Sequence, residues 1–130
     1  MSGKLKRGVH ELKDIIIWGN HSLTQYPDVS ISRLDNKALS EVVKDEKWLK
    51  GNFISDVAKR GAAIIAARKL SSAASAASAV CDHVHDWIIG TKEGEVVSMA
   101  VITDGKSYGV KSGLCFSMPV TCKNGQWTIK

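Results

Sequence analysis

Hydrophobic residues recur at helical spacing through the middle of the chain. They do so over residues 39–49 and again over residues 53–89, and this spacing predicts helices. The longer stretch is rich in alanine, the strongest helix former, and its small residues allow helices to approach closely. Ser71-Ser72 interrupt it, and serine hydroxyls inside a helix can bond back to the preceding turn and bend it. We therefore expect either one kinked helix or two consecutive helices, with Gly90 as the C-terminal stop.

A strand is predicted on the N-terminal side of the helical region. Ile15-Ile16-Ile17-Trp18 is a short β-branched and aromatic run that Gly19-Asn20 ends. A continuous apolar run of this kind is typical of a strand buried on both faces. Residues 21–27 are then expected to form a loop at the C-terminal end of this strand.

Further strands are predicted on the C-terminal side of the helices. Residues 95–103 alternate around Val97, Met99 and Val101 and end at the turn dipeptide Asp104-Gly105. A second strand is expected to begin at residues 108–110. Residues 114–122 form another predicted strand, in which Pro119 indicates an edge position or a bulge.

Asn124-Gly125 is the strongest hairpin signal in the chain. It is expected to join residues 119–122 to residues 126–129, which completes an antiparallel meander. A strand, then helices, then a meander is an α+β layout rather than a repeating βαβ series.

The composition fits one globular domain. The chain has 130 residues, of which 44% are hydrophobic and two are prolines, which excludes a disordered, collagen-like or proline-rich protein. No apolar run reaches the length of about 18 residues that a membrane span needs. The net charge of +5 would be compatible with binding to nucleic acid. However, basic residues cluster only at Lys4, Lys6 and Arg7. We therefore expect neither a nucleic-acid nor a membrane partner.

The three cysteines, Cys81, Cys115 and Cys122, are far apart and form no CxxC pair. This spacing argues against a disulfide scaffold and against a structural zinc site. Residues 1–9 contain no apolar signal core. Reduced thiols and a cytoplasmic location are expected.

Few residues stand out as candidates for chemistry. The sequence has no GxGxxG, GxxxxGK[ST] or GxSxG motif, so no dinucleotide or nucleoside triphosphate site is expected within it. His83 and His85 lie two positions apart, and on a helix such residues point about 200° apart, so they are not expected to share a metal ion. His21 follows the predicted buried strand at once, where an imidazole could take or give a proton near neutral pH.

A series of motifs accompanies His21 along the chain. It begins with Trp18-Gly19-Asn20-His21-Ser22 and continues as Thr24-Gln25-Tyr26-Pro27-Asp28-Val29, Trp48-Leu49-Lys50-Gly51, Arg60-Gly61-Ala62-Ala63-Ile64-Ile65, Ala67-Arg68-Lys69-Leu70-Ser71-Ser72-Ala73, Cys81-Asp82-His83-Val84, Gly94-Glu95-Val96-Val97-Ser98-Met99 and Asp104-Gly105-Lys106-Ser107-Tyr108-Gly109-Val110. In this order, the series resembles the cytosolic-type malate dehydrogenases of the lactate/malate dehydrogenase family. The resemblance covers nearly the whole chain from residue 15 onwards.

The resemblance implies a fold and an activity. The fold is the family's C-terminal substrate and catalytic domain, with long helices packed on an antiparallel sheet. The parent reaction is the NAD-dependent interconversion of malate and oxaloacetate, an oxidoreductase reaction of malate metabolism and the tricarboxylic acid cycle. His21 would be the proton acceptor, and Ser71 and Ser72 would border the substrate pocket. The parent enzyme would be a cytoplasmic homodimer.

The sequence also departs from the family. Residues 1–13 do not reproduce the family's pattern, residues 14–130 match it, and the match ends before the family's last helix. The family's Rossmann domain, its substrate-binding arginines and the aspartate that orients its histidine have no counterpart here. We therefore expect a fragment that binds no cofactor or metal through its own residues and lacks dehydrogenase activity alone. The alternatives are a non-catalytic truncated product that acts by association or dimerisation, and an unrelated basic α+β binding module.

Overall fold

A short helix and a group of short strands come first along the chain, then a series of helices and then a second group of strands in the computed structural model, which describes residues 1–21 and 23–130. Its helices are α1 (Ser2–Leu5), α2 (Leu39–Val43), α3 (Glu46–Lys50), α4 (Asn52–Ala58), α5 (Arg60–Arg68) and α6 (Ala73–Ile88), with 3-10 turns at Val9–Glu11 and Ser107–Gly109. Its strands are β1 (Ile16–Trp18), β2 (Tyr26–Asp28), β3 (Arg33–Leu34), β4 (Lys37–Ala38), β5 (Val97–Ile102), β6 (Cys115–Lys123) and β7 (Gln126–Ile129).

An antiparallel sheet in the order β5-β6-β7 carries the core. The predicted hairpin at Asn124-Gly125 is confirmed, because both residues have a positive φ, of 53° and 73°, as a type I′ turn requires. The strand predicted over residues 95–103 is confirmed as β5. One face of the sheet forms a single buried cluster that consists of Met99, Val101, Met118, Val120 and Cys122.

The prediction for Pro119 was wrong, because it lies in β6, the central strand, opposite Ser98. The Pro119 carbonyl accepts a hydrogen bond from the Lys130 N–H at 3.0 Å. Within a strand the N–H and C=O of one residue point to the same side. The donor that proline lacks would therefore face Lys130, beyond the last residue of β7, and no hydrogen bond to β5 is lost.

Residues 108–110 were also predicted wrongly, since they begin no strand. Tyr108 has a φ of 55° and lies inside a 3-10 turn, where its ring packs edge-on against Trp18 with centroids 4.9 Å apart. This contact joins distant parts of the chain, so the local sequence pattern does not reveal it.

The strand predicted at residues 15–18 is confirmed as β1, but its surroundings differ from those predicted. Ile16 is buried, whereas Ile17 and Trp18 are half-buried. Part of the predicted loop over residues 21–27 is the edge strand β2, in which Pro27 pairs with Ile17. Proline lacks the N–H of a strand residue and is tolerated at an edge, which is why the pattern there does not indicate a strand. Ser22 lies outside the described residues.

The helical region is more divided than the hydrophobic spacing predicts. Residues 39–49 form α2 and α3, because Lys44 adopts a left-handed φ of 48° and the Asp45 carboxylate then caps α3 by accepting from the Trp48 N–H. Residues 53–89 form α4, α5 and α6 rather than one or two helices. The main break lies at residues 69–72, where Lys69 has a φ of 60°, so the interruption at the serines is confirmed.

The C-terminal end of α6 fixes that helix to the sheet. The Trp87 indole N–H donates to the Gly125 carbonyl at 2.8 Å, and Gly90 pairs with Lys123. Gly90 has a φ of 114° and ends the helix as predicted. Neither α5 nor α6 contains a buried residue. Within residues 1–21 and 23–130, no helix is both long and apolar enough to cross a membrane.

Candidate active site

The backbone at the end of β1 sets the position of His21. Gly19 has a φ of 87°, in a region that favours glycine, and its carbonyl accepts a hydrogen bond from the Ser117 N–H at 3.1 Å. This bond ties the end of β1 to the middle of β6. The chain then turns away from the sheet at Asn20, and His21 is exposed.

Two serine hydroxyl groups hold the strand that precedes His21. The Ser117 hydroxyl donates to the Ile17 carbonyl at 2.6 Å. The Ser98 hydroxyl accepts from the Ile17 N–H at 2.9 Å. Both backbone hydrogen-bonding groups of Ile17 in β1 are therefore satisfied by side chains of the large sheet, which holds the strand before His21 firmly in place.

Asp28 stabilises the turn on the other side of β1. Its carboxylate accepts from the Trp18 indole N–H at 3.1 Å and from the Ser30 N–H at 2.8 Å. Burial raises the pKa of Asp28, but the hydrogen bonds from Ser30 and Trp18 outweigh it, so the pKa lies below its usual value. An ionised carboxylate thus links Trp18 of β1 to the turn that follows β2.

A cavity of about 300 Å³ opens beside His21. Apolar and polar groups share its wall, which consists of Ile17, Gly19, Asn20, His21, Gln25, Ala100, Cys115 and Ser117. This size accommodates a small molecule. An imidazole at such a wall can accept a proton from a bound hydroxyl group or return it to a carbonyl oxygen. Within residues 1–21 and 23–130, no carboxylate forms a hydrogen bond with His21.

Ser71 and Ser72 do not line this cavity. Ser71 is exposed and Ser72 is half-buried, in the non-helical connection between α5 and α6. The Ser72 carbonyl accepts from the Ser75 hydroxyl at 2.9 Å and begins α6. The structure therefore does not bring the two serines together with His21.

Several residues in the wall of the His21 cavity were not predicted from the sequence. Asn20 stands in the motif around His21 and could have been found there. Gln25 stands in the motif that follows that one, whereas Cys115 and Ser117 carry no local signal, because only the antiparallel pairing of Ser117 with Gly19 brings this part of β6 beside the end of β1.

A second cavity, of about 370 Å³, is lined by charged residues at a distance from His21. Its wall consists of Glu11, Lys13, Asp14, Arg33, Asp35, Asn36, Gly94 and Glu95. The Lys13 ammonium group lies 2.7 Å from a Glu95 carboxylate oxygen, and this hydrogen bond raises the pKa of Lys13 and lowers that of Glu95. Glu11 and Asp35 are paired in the same way with Arg7, so most carboxylates of this wall already have a cationic partner and the cavity is a weaker candidate for a ligand.

Comparison with known proteins places these features in a family. The family model described as lactate/malate dehydrogenase, alpha/beta C-terminal domain matches residues 3–130, and so takes in residues 3–13 as well. The cytoplasmic malate dehydrogenase of Mesembryanthemum crystallinum is 56% identical over 99% of this chain and 40% of its own length. Probable malate dehydrogenase 3 of Dictyostelium discoideum is 60% identical over 96% of this chain and 39% of its own length.

Solved structures agree with the sequence comparison. The malate dehydrogenase of Naegleria fowleri is 43% identical with a TM-score of 0.88, and covers 99% of this chain and 39% of its own chain. The lactate dehydrogenase of Trichomonas vaginalis in complex with NADH and oxamate is 31% identical with the same TM-score of 0.88, over 99% of this chain and 40% of its own.

The chain belongs to the lactate/malate dehydrogenase family and has the fold of its alpha/beta C-terminal domain. This confirms the resemblance seen in the sequence and the predicted α+β fold. The chain spans about 40% of the length of the curated relatives it matches.

Proposed function

We propose that this chain is the substrate domain of an NAD-dependent malate dehydrogenase, with His21 as its proton acceptor. The observation that carries the proposal is an exposed imidazole at the wall of a 300 Å³ cavity, directly after a strand that is fixed to the main sheet. Relatives more than half identical to the chain are named cytoplasmic malate dehydrogenase. We place the activity in the cytoplasm and in malate metabolism on the same ground.

In the proposed reaction the chain's own residues move one proton. With malate in the cavity, the neutral imidazole of His21 accepts the proton of the C2 hydroxyl group as the carbonyl of oxaloacetate forms. In the reverse direction the imidazolium returns the proton to that carbonyl oxygen. On the family resemblance alone, Ser71 and Ser72 are proposed to border the substrate pocket of the longer enzyme, since their hydroxyl groups suit a carboxylate; within this chain they lie outside the wall of the His21 cavity.

The described residues do not fit a dinucleotide. Within residues 1–21 and 23–130, no glycine-rich turn leads from a strand into a helix of the kind that binds a pyrophosphate. NAD is therefore proposed as the cofactor of the longer enzyme only, bound by groups outside these residues. In this proposal the residues of this chain transfer the proton and have no part in binding the nicotinamide.

A second copy of the chain is the proposed partner of α5 and α6. The exposed apolar side chains of α5, of α6 and of the connection between them make up what we name the α5–α6 apolar surface, which consists of Ile65, Leu70, Val80, Val84 and Ile88. A helix with an apolar stripe is normally stable only when that stripe is covered. Val80→Glu should therefore convert a dimer to a monomer in sedimentation velocity, whereas Val9→Glu, at an exposed site elsewhere, should not. A monomeric unsubstituted chain would contradict the homodimer.

A chimaera tests the catalytic proposal. Residues 1–130 replace the matching segment of the Dictyostelium discoideum relative, whose remaining length supplies the rest of the enzyme. We expect malate-dependent NADH formation, a fall of at least about 100-fold for His21→Asn, and no change for His10→Asn, which alters an exposed histidine elsewhere. Retention of activity in His21→Asn would exclude His21 as the proton acceptor.

A further inference from the structure

We propose that Cys81 and His85 form a two-residue binding site for a zinc-like transition-metal ion on α6. The site is separate from the His21 cavity and does not depend on the proposed dehydrogenase activity. It rests on the spacing of the two residues, on their exposure, and on the carboxylate that contacts the histidine.

The helix brings the two side chains together. Cys81 and His85 are four residues apart within α6, which runs unbroken over Ala73–Ile88. Side chains at this spacing lie about 40° apart around the axis, with Cβ atoms about 6 Å apart. Helical side chains lean towards the N-terminus, a direction that brings a side chain at position 85 within reach of one at position 81. Both residues are exposed, and 62% of the His85 side chain is accessible.

Asp86 prepares the histidine for a metal ion. Its carboxylate oxygen lies 3.3 Å from Nδ1 of His85. A carboxylate at Nδ1 favours the tautomer with the proton on that nitrogen, which leaves the lone pair on Nε2 for a metal ion. Asp82 and Asp86 also bring negative charge to this part of α6, and the helix contains no lysine or arginine that would repel a cation.

The donor set selects the class of ion. A thiolate sulfur and an imidazole nitrogen suit zinc and its neighbours rather than magnesium or calcium. The described residues contain no group of three or more histidine, cysteine or acidic side chains that could hold a metal ion. Water, or a donor from another molecule, would therefore complete a tetrahedral shell, and binding would be weaker than at a four-ligand structural site.

His83 provides a matched control on the same helix. It lies two positions from both Cys81 and His85, on another side of the helix, and its ring packs against Trp87 with centroids 6.4 Å apart. Cys115 is a second control, because it is an exposed cysteine outside α6.

The test is a titration of the 130-residue chain with Co²⁺ and Zn²⁺ alone. We expect one ion per chain, with a thiolate-to-cobalt charge-transfer band that Zn²⁺ abolishes. Cys81→Ser and His85→Gln should each weaken binding by at least about tenfold, and Asp86→Asn by about tenfold without altering the melting temperature of the metal-free chain. His83→Gln and Cys115→Ser should leave affinity unchanged. Unchanged affinity in Cys81→Ser or His85→Gln, or loss of the band in Cys115→Ser, would overturn the site.

Discussion

Replacement of Gly19 by alanine tests whether the backbone conformation at the end of β1 positions His21. An added Cβ would meet no atom closer than the Thr24 carbonyl oxygen at 3.7 Å, so there is room for it. The cost arises from the φ of 87°, which residues with a side chain adopt at about 1–3 kcal/mol. For a domain of this size, each kcal/mol lowers the melting temperature by roughly 4 °C.

The strain should also reach the histidine. The backbone can relieve it by rotating Gly19 towards a negative φ, but this rotation breaks the 3.1 Å hydrogen bond between the Gly19 carbonyl and Ser117. His21 lies two residues further on, so its ring would move. A displacement of about 1 Å in a catalytic group can lower a rate by about 100-fold.

Gly113→Ala is the matched control for Gly19→Ala. Gly113 has a φ of 80° and nothing within 4 Å of an added Cβ, so the strain is similar but His21 is not affected. Thermal unfolding should show comparable losses of stability in the two variants. In the chimaera, NADH formation should fall about 100-fold only in Gly19→Ala. Equal activity in the two variants would refute the argument that Gly19 positions His21.

Three further predictions concern the core, the acid range and the isolated chain. Met118→Ala removes a side chain with 0% exposure from the sheet core and should lower the free energy of unfolding by about 2–5 kcal/mol in urea, whereas a loss below about 1 kcal/mol would show a loosely packed core. Backbone N–H groups of Ser107 and Lys106 and the Ser107 hydroxyl lower the pKa of Asp104 from 3.8 to about 2. The folded state therefore binds this proton less readily than the unfolded state, so the contribution of Asp104 to stability is present above about pH 4 and is lost as the pH falls towards 2. Asp104→Asn should flatten that part of the pH profile of urea unfolding, and an unchanged profile would contradict the assignment. Finally, residues 1–130 alone should form no NADH from malate and NAD, because the described residues contain no site for the nucleotide; NADH formation above the blank would contradict this.

The position of the candidate site could be predicted from the sequence, but the side chains that hold β1 in place could not. A β-branched run that ends at a glycine predicts a strand end, and His21 follows it within the same short segment. Those side chains are Ser98 and Ser117, whose hydroxyl groups bind the backbone of Ile17 from 81 and 100 residues away in the sequence. A hydroxyl group in a sheet has no sequence signal that identifies its partner, because the pairing register decides which peptide group it meets.

The fold shows the same division between local and distant causes. Asn124-Gly125 and Gly90 were predicted correctly, because a positive φ is a property of the residues themselves. Pro119 was predicted wrongly, because its tolerance in a central strand depends on where the neighbouring strand β7 ends. The type of residue indicates which backbone conformations it avoids. Only the sheet topology decides whether the N–H that proline lacks would have formed a hydrogen bond.

Burial in the helices requires a third distinction. Phe53, Ile65, Val80 and Trp87 all belong to the hydrophobic positions at helical spacing within residues 53–89, yet of these four only Phe53 is buried, and the other three are exposed by 53%, 61% and 42%. Periodicity indicates that a helix face avoids water, but it does not indicate which surface covers that face. Phe53 is covered within the chain itself, where its ring stacks on Trp48 at 5.1 Å. The other three residues remain exposed, and two of them, Ile65 and Val80, belong to the α5–α6 apolar surface. The second copy proposed as the partner of that surface would cover them, and it would explain a pattern that the fold of one chain does not.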